Sequence, residues 1–166
     1  MKQAFAAAVL AITSLASASS QAITIEADGN WYAFSFGGVG STFSDQPFTF
    51  TLTESAVLRV TDAFQSGDQF EVFNFGESLG LTSTPTIGNQ VGGDYDLAFA
   101  HSDYSHRAWT LGPGSYSITG VTLLSPYGGG GAALSLAPAV PEPESFALVA
   151  AGLALLGVAA RRRQAR

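Results

Sequence analysis

Apolar and polar residues alternate with a period of two through most of the chain between residues 23 and 139. The clearest stretch is 47–52, Pro-Phe-Thr-Phe-Thr-Leu, where Phe48, Phe50 and Leu52 share one face and the threonines the other. That is the signature of a strand buried on one side. The same reading places strands at 23–27, 31–36, 56–61, 69–75 and 77–82. It continues with strands at 95–100 (Tyr95, Leu97 and Phe99 in phase), 106–111, 116–121 and 132–136. Turn residues separate these runs: Asp28-Gly29-Asn30, Gly37-Gly38-Val39-Gly40, Gly67 and Gly112-Pro113-Gly114. The stretch 83–93, rich in Thr, Pro, Gly and Asn, reads as a loop; Gly128 to Gly131 reads as a hinge, and 137–139 as a short linker. No window keeps a helical period over three turns. Many short strands without helix predict an all-β domain, an antiparallel two-sheet sandwich of jelly-roll kind.

Both ends break this pattern. At the front, Lys2 is followed by an apolar run at 4–15 and by Ser20-Gln21-Ala22, with small residues at the −3 and −1 positions of a cleavage site after Ala22. This is the layout of a secretory signal peptide, and it implies signal peptidase as a partner. At the back, Val140, Pro141, Glu142 and Pro143 precede an uncharged run, 146–160, and then Arg161, Arg162, Arg163 and Arg166. The prolines fix φ and remove donors, which keeps the motif extended and open to an enzyme. The run closes its own hydrogen bonds as a helix, as a bilayer interior requires. The arginines act as a stop-transfer signal that holds the end on the cytoplasmic side. As a helix the run spans only about 22 Å against roughly 30 Å of hydrocarbon. Its Ala and Gly content suits a segment that pauses in the membrane and is removed.

This order of Pro-Glu-Pro, apolar run and Arg-rich tail resembles the PEP-CTERM sorting signal of Gram-negative bacteria. The resemblance implies recognition of Val140, Pro141, Glu142 and Pro143 by an exosortase, a membrane-embedded Cys-dependent protease or transpeptidase. Glu144 stands where the family often has a small residue. The chain is thus expected to divide into a signal peptide at 1–22, a β-sandwich ectodomain at 23–139 and a sorting and anchor segment at 140–166. The last comprises the motif 140–144, a transmembrane helix at 145–160 and a basic tail at 161–166. The segment 56–120 also looks like secreted β-sandwich modules of the bacterial pre-peptidase C-terminal or CUB-like sort. It carries V-T-D-x-F-x-x-G-D-x-F-E-V-F from Val60 and T-L-x-P-G-x-Y-S-I from Thr110. That likeness implies binding or accessory roles rather than catalysis.

Charge narrows the options further. Residues 23–139 hold eleven acidic side chains against Arg59 and Arg107, a balance of −9. Such a surface repels phosphates, which argues against nucleic acid. It suits an extracellular setting or divalent cations. There is no cysteine, so disulfides, thiol catalysis and thiolate metal sites are excluded. Asp62, Asp68 and Glu71 could offer hard oxygens to Ca²⁺, with Asp94, Asp96 and Asp103 as a second set; otherwise Asp62 and Asp68 flank a turn as hydrogen-bond acceptors. No other cofactor is expected. His101 and His106, around Asp103, are five apart, the wrong spacing for one strand face, and read as surface histidines. Residues 76–80, Gly-Glu-Ser-Leu-Gly, match G-x-S-x-G in letters, but they join two predicted strands rather than a strand and a helix, so they do not read as a nucleophile elbow. Among the aromatics that could stack on sugars, Tyr104 and Tyr127 are expected to be the exposed ones.

The expected protein is an exported, non-catalytic component of the cell surface or of an exopolysaccharide matrix. It would pass through the inner membrane with its C-terminus cytoplasmic and touch lipid only transiently. The alternatives are a secreted carbohydrate-active enzyme or accessory module, and a simple membrane-anchored surface protein.

Overall fold

The computed structural model describes residues 21–139; the expected signal helix and transmembrane helix lie outside them. One sheet contains β1 (Ile23–Thr24), β3 (Phe48–Leu52), β6 (Gln69–Asn74), β7 (Glu77–Leu81) and β10 (Gly114–Leu124), in the order β1-β3-β10-β6-β7. The other contains β2 (Trp31–Gly37), β4 (Ala56–Asp62), β9 (His106–Leu111) and β11 (Gly129–Pro138), in the order β2-β11-β4-β9. Every pair is antiparallel except β1 with β3. A two-stranded ribbon of β5 (Phe64–Gln65) and β8 (Gln90–Gly92) sits beside them. The architecture is therefore the antiparallel two-sheet sandwich that the alternation predicts.

The core lies between the two sheets. Phe48, Phe50 and Leu52 are buried as expected, as are Phe34 and Phe36 of β2, Leu58 and Val60 of β4, and Phe70 and Val72 of β6. Ala132, Leu134 and Leu136 of β11 close it from the second sheet. Phe43, in the β2–β3 connection, stacks on Phe34 with ring centroids 4.1 Å apart and meets Phe70 edge-on at 5.4 Å.

Four local expectations need correction. Residues 95–100 form a helix, α1 (Tyr95–Ala100), not a strand. Asp94 caps it, its carboxylate accepting the Leu97 amide at 2.9 Å. Tyr95 and Phe99 are four apart, so they share a helix face as readily as a strand face. Both pack on Trp31, while Leu97 points outward, 49% exposed. Gly129, Gly130 and Gly131 are not a hinge but the first residues of β11, paired with Gly37, Phe36 and Ser35. They serve close approach: a Cβ at Gly131 would lie 2.6 Å from the Phe64 ring. Nor are residues 137–139 a linker, since Ala137 and Pro138 pair with Val57 and Ala56, and the Ala139 amide donates to the Ser55 carbonyl at 3.0 Å. Finally, the loop at 83–93 contains β8.

Gly120, buried in β10, is where the Phe43 ring enters the core: a Cβ there would stand 2.1 Å from that ring. Gly120→Ala forces the ring out of its slot and is expected to cost about 1–3 kcal/mol. Denaturant unfolding checks this: the midpoint should drop with the slope unchanged, and an unmoved midpoint would refute the packing role given to Phe43.

Candidate functional site

Strand β11 carries the chain from one end of the sandwich to the other. Its last residues, with the Ala139–Ser55 bond, deliver the chain to the base, where residues 51–56, Ala27, Pro138 and Ala139 line a shallow cavity of about 220 Å³. Val140, Pro141, Glu142 and Pro143, and Arg161, Arg162, Arg163 and Arg166, lie outside the described residues. In sequence, Val140 follows Ala139, the last described residue, directly. Ala22 is exposed, one residue before β1, and the Ile23 amide is already bonded to the Pro47 carbonyl at 3.0 Å.

At the other end of β11 the acidic residues of the V-T-D-x-F-x-x-G-D stretch come together. Asp62 closes β4 and is fully buried, and Asp68 is 2% exposed. The Asp62 carboxylate accepts three backbone amides: Ala63 at 2.8 Å on Oδ1, and Gly67 and Asp68 at 3.2 Å on Oδ2. Those bonds fold the turn 62–68 around it, the acceptor role expected of an aspartate flanking a turn. Burial, and then the negative charge of Asp68, push the Asp62 carboxyl up to about 8 against the pull of the amides. Burial also raises Asp68, and Ser125 beside it holds it down in part. Glu71 is elsewhere: with Phe70 and Val72 facing the core it stands on the outer face of its sheet, accepting the Ser78 hydroxyl at 2.6 Å. Among the described residues no group of three or more His, Asp or Glu is arranged to hold a metal ion.

The second acidic set does not assemble. Asp94 caps α1, Asp96 accepts the Trp31 indole N–H at 3.0 Å, and Asp103 accepts the Asn89 amide at 3.3 Å. His101 Nδ1 accepts the Asp103 backbone amide at 3.2 Å, with the Asp103 carboxylate 3.8 Å away. His106 packs on Phe99 with its Nδ1 2.8 Å from the Tyr104 carbonyl. These are partly buried groups holding a loop together. Tyr104, expected to be exposed, is fully buried, with its hydroxyl 3.0 Å from the carbonyls of Phe64 and Asn89. The polar loop folds over it because that hydroxyl ties two segments. Tyr127 is 46% exposed, as expected.

Alternation alone did not reveal a row of rings on the outer face of the β2-β11-β4-β9 sheet. Phe64, Tyr95, Trp31, Phe99 and His106 follow one another with centroids 6.5, 6.0, 5.8 and 5.1 Å apart. The Arg59 guanidinium lies 4.8 Å from the Trp31 ring and 5.6 Å from that of Phe99. The row spans four segments, so only tertiary structure assembles it; Phe64, with φ of 59° and 47% exposed, is its open end.

The described domain is thus a two-sheet β-sandwich whose C-terminal strand leads directly into the tail. That tail is a PEP-CTERM protein-sorting motif: residues 139–163 match the family model of that description. No curated protein matches the chain. Among solved structures, it is similar to the C-terminal CBM6 of LamC, a marine laminarinase from Zobellia galactanivorans, at 14% identity and a TM-score of 0.39. That match covers 65% of this chain and 99% of the other. It is also similar to a β-1,3-glucan-binding CBM6 from Bacillus halodurans, at 12% identity and a TM-score of 0.34, covering 69% and 87%. Likenesses this loose say nothing about ligands, and the sandwich stands on its own strand pairing.

With divalent cations chelated, the Asp62 carboxyl gives the stability a defined pH slope. Its folded pKa of about 8 lies above the unfolded 3.8. Between those values the folded state holds a proton that the unfolded state has released, so the contribution is full below 3.8 and is lost as pH rises through about 8. Asp68 is raised too and adds to the same slope, whereas exposed Asp28 shifts the other way and acts only in acid. The melting temperature is expected to fall from weakly acidic to alkaline pH, and Asp62→Asn to flatten the profile. A profile that rises over that range would contradict the burial of Asp62.

Proposed function

We propose that this chain is an exported, non-catalytic protein of the cell surface or of an exopolysaccharide matrix, sorted by an exosortase that reads Pro141-Glu142-Pro143. The observation that carries this reading is the sorting motif at residues 139–163, which begins where the folded domain ends. Pro143 lies four residues past Ala139, so even a fully extended chain places it within about 14 Å of the sandwich. The processing enzyme would work against the base of the domain. In this scheme signal peptidase cuts after Ala22, leaving β1 at the new N-terminus. The segment 145–160 spans the inner membrane transiently, with Arg161, Arg162, Arg163 and Arg166 on the cytoplasmic side. Cleavage near the motif then frees the acidic domain for the surface or matrix.

A polysaccharide ligand is the finer reading, supported by the outward row of rings ending at Phe64. A non-glycine residue held at positive φ costs energy, and such strain gathers where a side chain is presented to a ligand. The competing reading, a simple membrane-anchored protein, would need the tail to persist.

Mass spectrometry of the mature C-terminus separates these readings. In cells with the exosortase, the recovered protein should lack residues 161–166, and in cells without it they should remain. Recovery of Arg166 on the surface protein in exosortase-positive cells would establish the anchored form instead. For the ligand, the purified chain should be retained on the producer's exopolysaccharide and Phe64→Ala should weaken that retention; no retention of the parent chain removes the polysaccharide reading.

A further inference from the structure

Asp62 and Asp68 are enclosed without a positive side chain to balance them. Among the described residues no arginine lies within ion-pair distance of a carboxylate, and the one histidine–carboxylate contact, His101 with Asp103 at 3.8 Å, is elsewhere. The two arginines of this region are engaged elsewhere. Arg59 Nη2 donates to Ser135 Oγ at 2.9 Å beneath Trp31, and Arg107 Nη1 donates to the Leu81 carbonyl at 2.9 Å. Buried charges are stable when they are paired or when they coordinate a metal.

The two carboxylates differ in what they lack. Three amides hold Asp62, an arrangement suited to an anion. Asp68 Oδ1 is fully enclosed and has no hydrogen-bond partner. The Ser125 hydroxyl, also fully enclosed, lies beside Asp68 and lowers its carboxyl as a hydrogen-bonding neighbour, without a well-formed bond to any group. A buried carboxylate oxygen and a buried hydroxyl oxygen lie side by side here with no cationic donor aimed at either, a corner of hard oxygens. Asp68 Oδ2 faces Gly130, where an added Cβ would lie 3.5 Å from it and 3.0 Å from the Phe36 ring. A side chain there would crowd the corner.

We propose that Asp62, Asp68 and Ser125 bind one calcium ion, which ties the turn 62–68 to the connection between β10 and β11. The donors are all hard oxygens, with no imidazole or thiolate among them, which favours calcium over zinc or copper. Calcium takes about six to eight oxygens in flexible geometry, so backbone carbonyls and water complete its shell. The ion supplies the positive charge that the pair lacks and occupies both orphaned oxygens at once. Glu71, on the outer face of its sheet, takes no part. The site does not depend on how the tail is processed.

The test uses the full chain, purified in detergent, stripped with a chelator and titrated with Ca²⁺ near neutral pH. Calorimetry should report one ion per chain, and the melting temperature should rise by several degrees. Asp68→Asn should lose both effects, Ser125→Ala should weaken binding, and Glu71→Gln should behave as the parent. Asp68→Asn also removes an uncompensated buried charge, so without calcium it should melt no lower than the stripped parent. If it fails to fold, the contrast between Ser125→Ala and Glu71→Gln decides. No heat and no thermal shift in the parent would overturn the site, as would undiminished binding in both Asp68→Asn and Ser125→Ala.

Discussion

The structure depends on phenylalanine rings interlocking between two sheets that have no covalent staple. Phe34 meets Phe43, Phe48 and Phe70, and Phe36 meets Phe70 edge-on at 4.8 Å. Each such pair contributes about 0.5–1.5 kcal/mol beyond the area it buries. The rings come from β2, β3, β6 and the β2–β3 connection, so one cluster joins distant parts of the sequence. In a chain without cysteine, this cluster does the work that disulfides do in many exported domains. It also constrains the backbone around it. The wide Phe43 ring fits only because Gly120 leaves a slot, and the Phe36 ring fits only because Gly130 has no side chain.

That dependence explains what was legible in the sequence. Phe48, Phe50 and Leu52 announce a strand because a period of two has no other cause when threonines stand between them. The sandwich followed from many such stretches. Tyr95, Leu97 and Phe99 misled because positions i, i+2 and i+4 include an i, i+4 pair, and a single helical turn is too short to show its own period. Asp94 was the local signal, an N-cap three residues before the amide it accepts. Glycine misled in the other direction. Gly129 to Gly131 resemble a flexible run, yet each is fixed by what would collide with a Cβ, and those neighbours come from residues far away in sequence.

The candidate sites divide along the same line. The sorting motif is local, three elements in order, and could be read from residues alone. The acidic site was half legible. Asp62 and Asp68 belong to one turn, and their spacing placed them together. Glu71 was grouped with them by proximity in sequence, but strand parity puts it on the opposite face from Phe70 and Val72. Ser125 had no signal at all, because it joins the site across a crossover between β10 and β11. The row from Phe64 to His106 was hidden for the same reason: its rings come from β5, α1, β2 and β9.

Strand β11 links these regions mechanically. Its first residues pack against Phe36 and Asp68, its middle closes the core with Ala132, Leu134 and Leu136, and Pro138 hands the chain to the sorting motif. Strand β2 pairs with its residues 129–135 and β4 with its residues 132–138. Tension on the tail therefore acts along a central strand, and separating that strand means breaking two ladders of hydrogen bonds together with the core contacts between them. An edge strand such as β7 would resist with one ladder. A domain pulled from its C-terminal end is best tethered through such a strand, and the Ala139–Ser55 bond continues that hold to the last described residue.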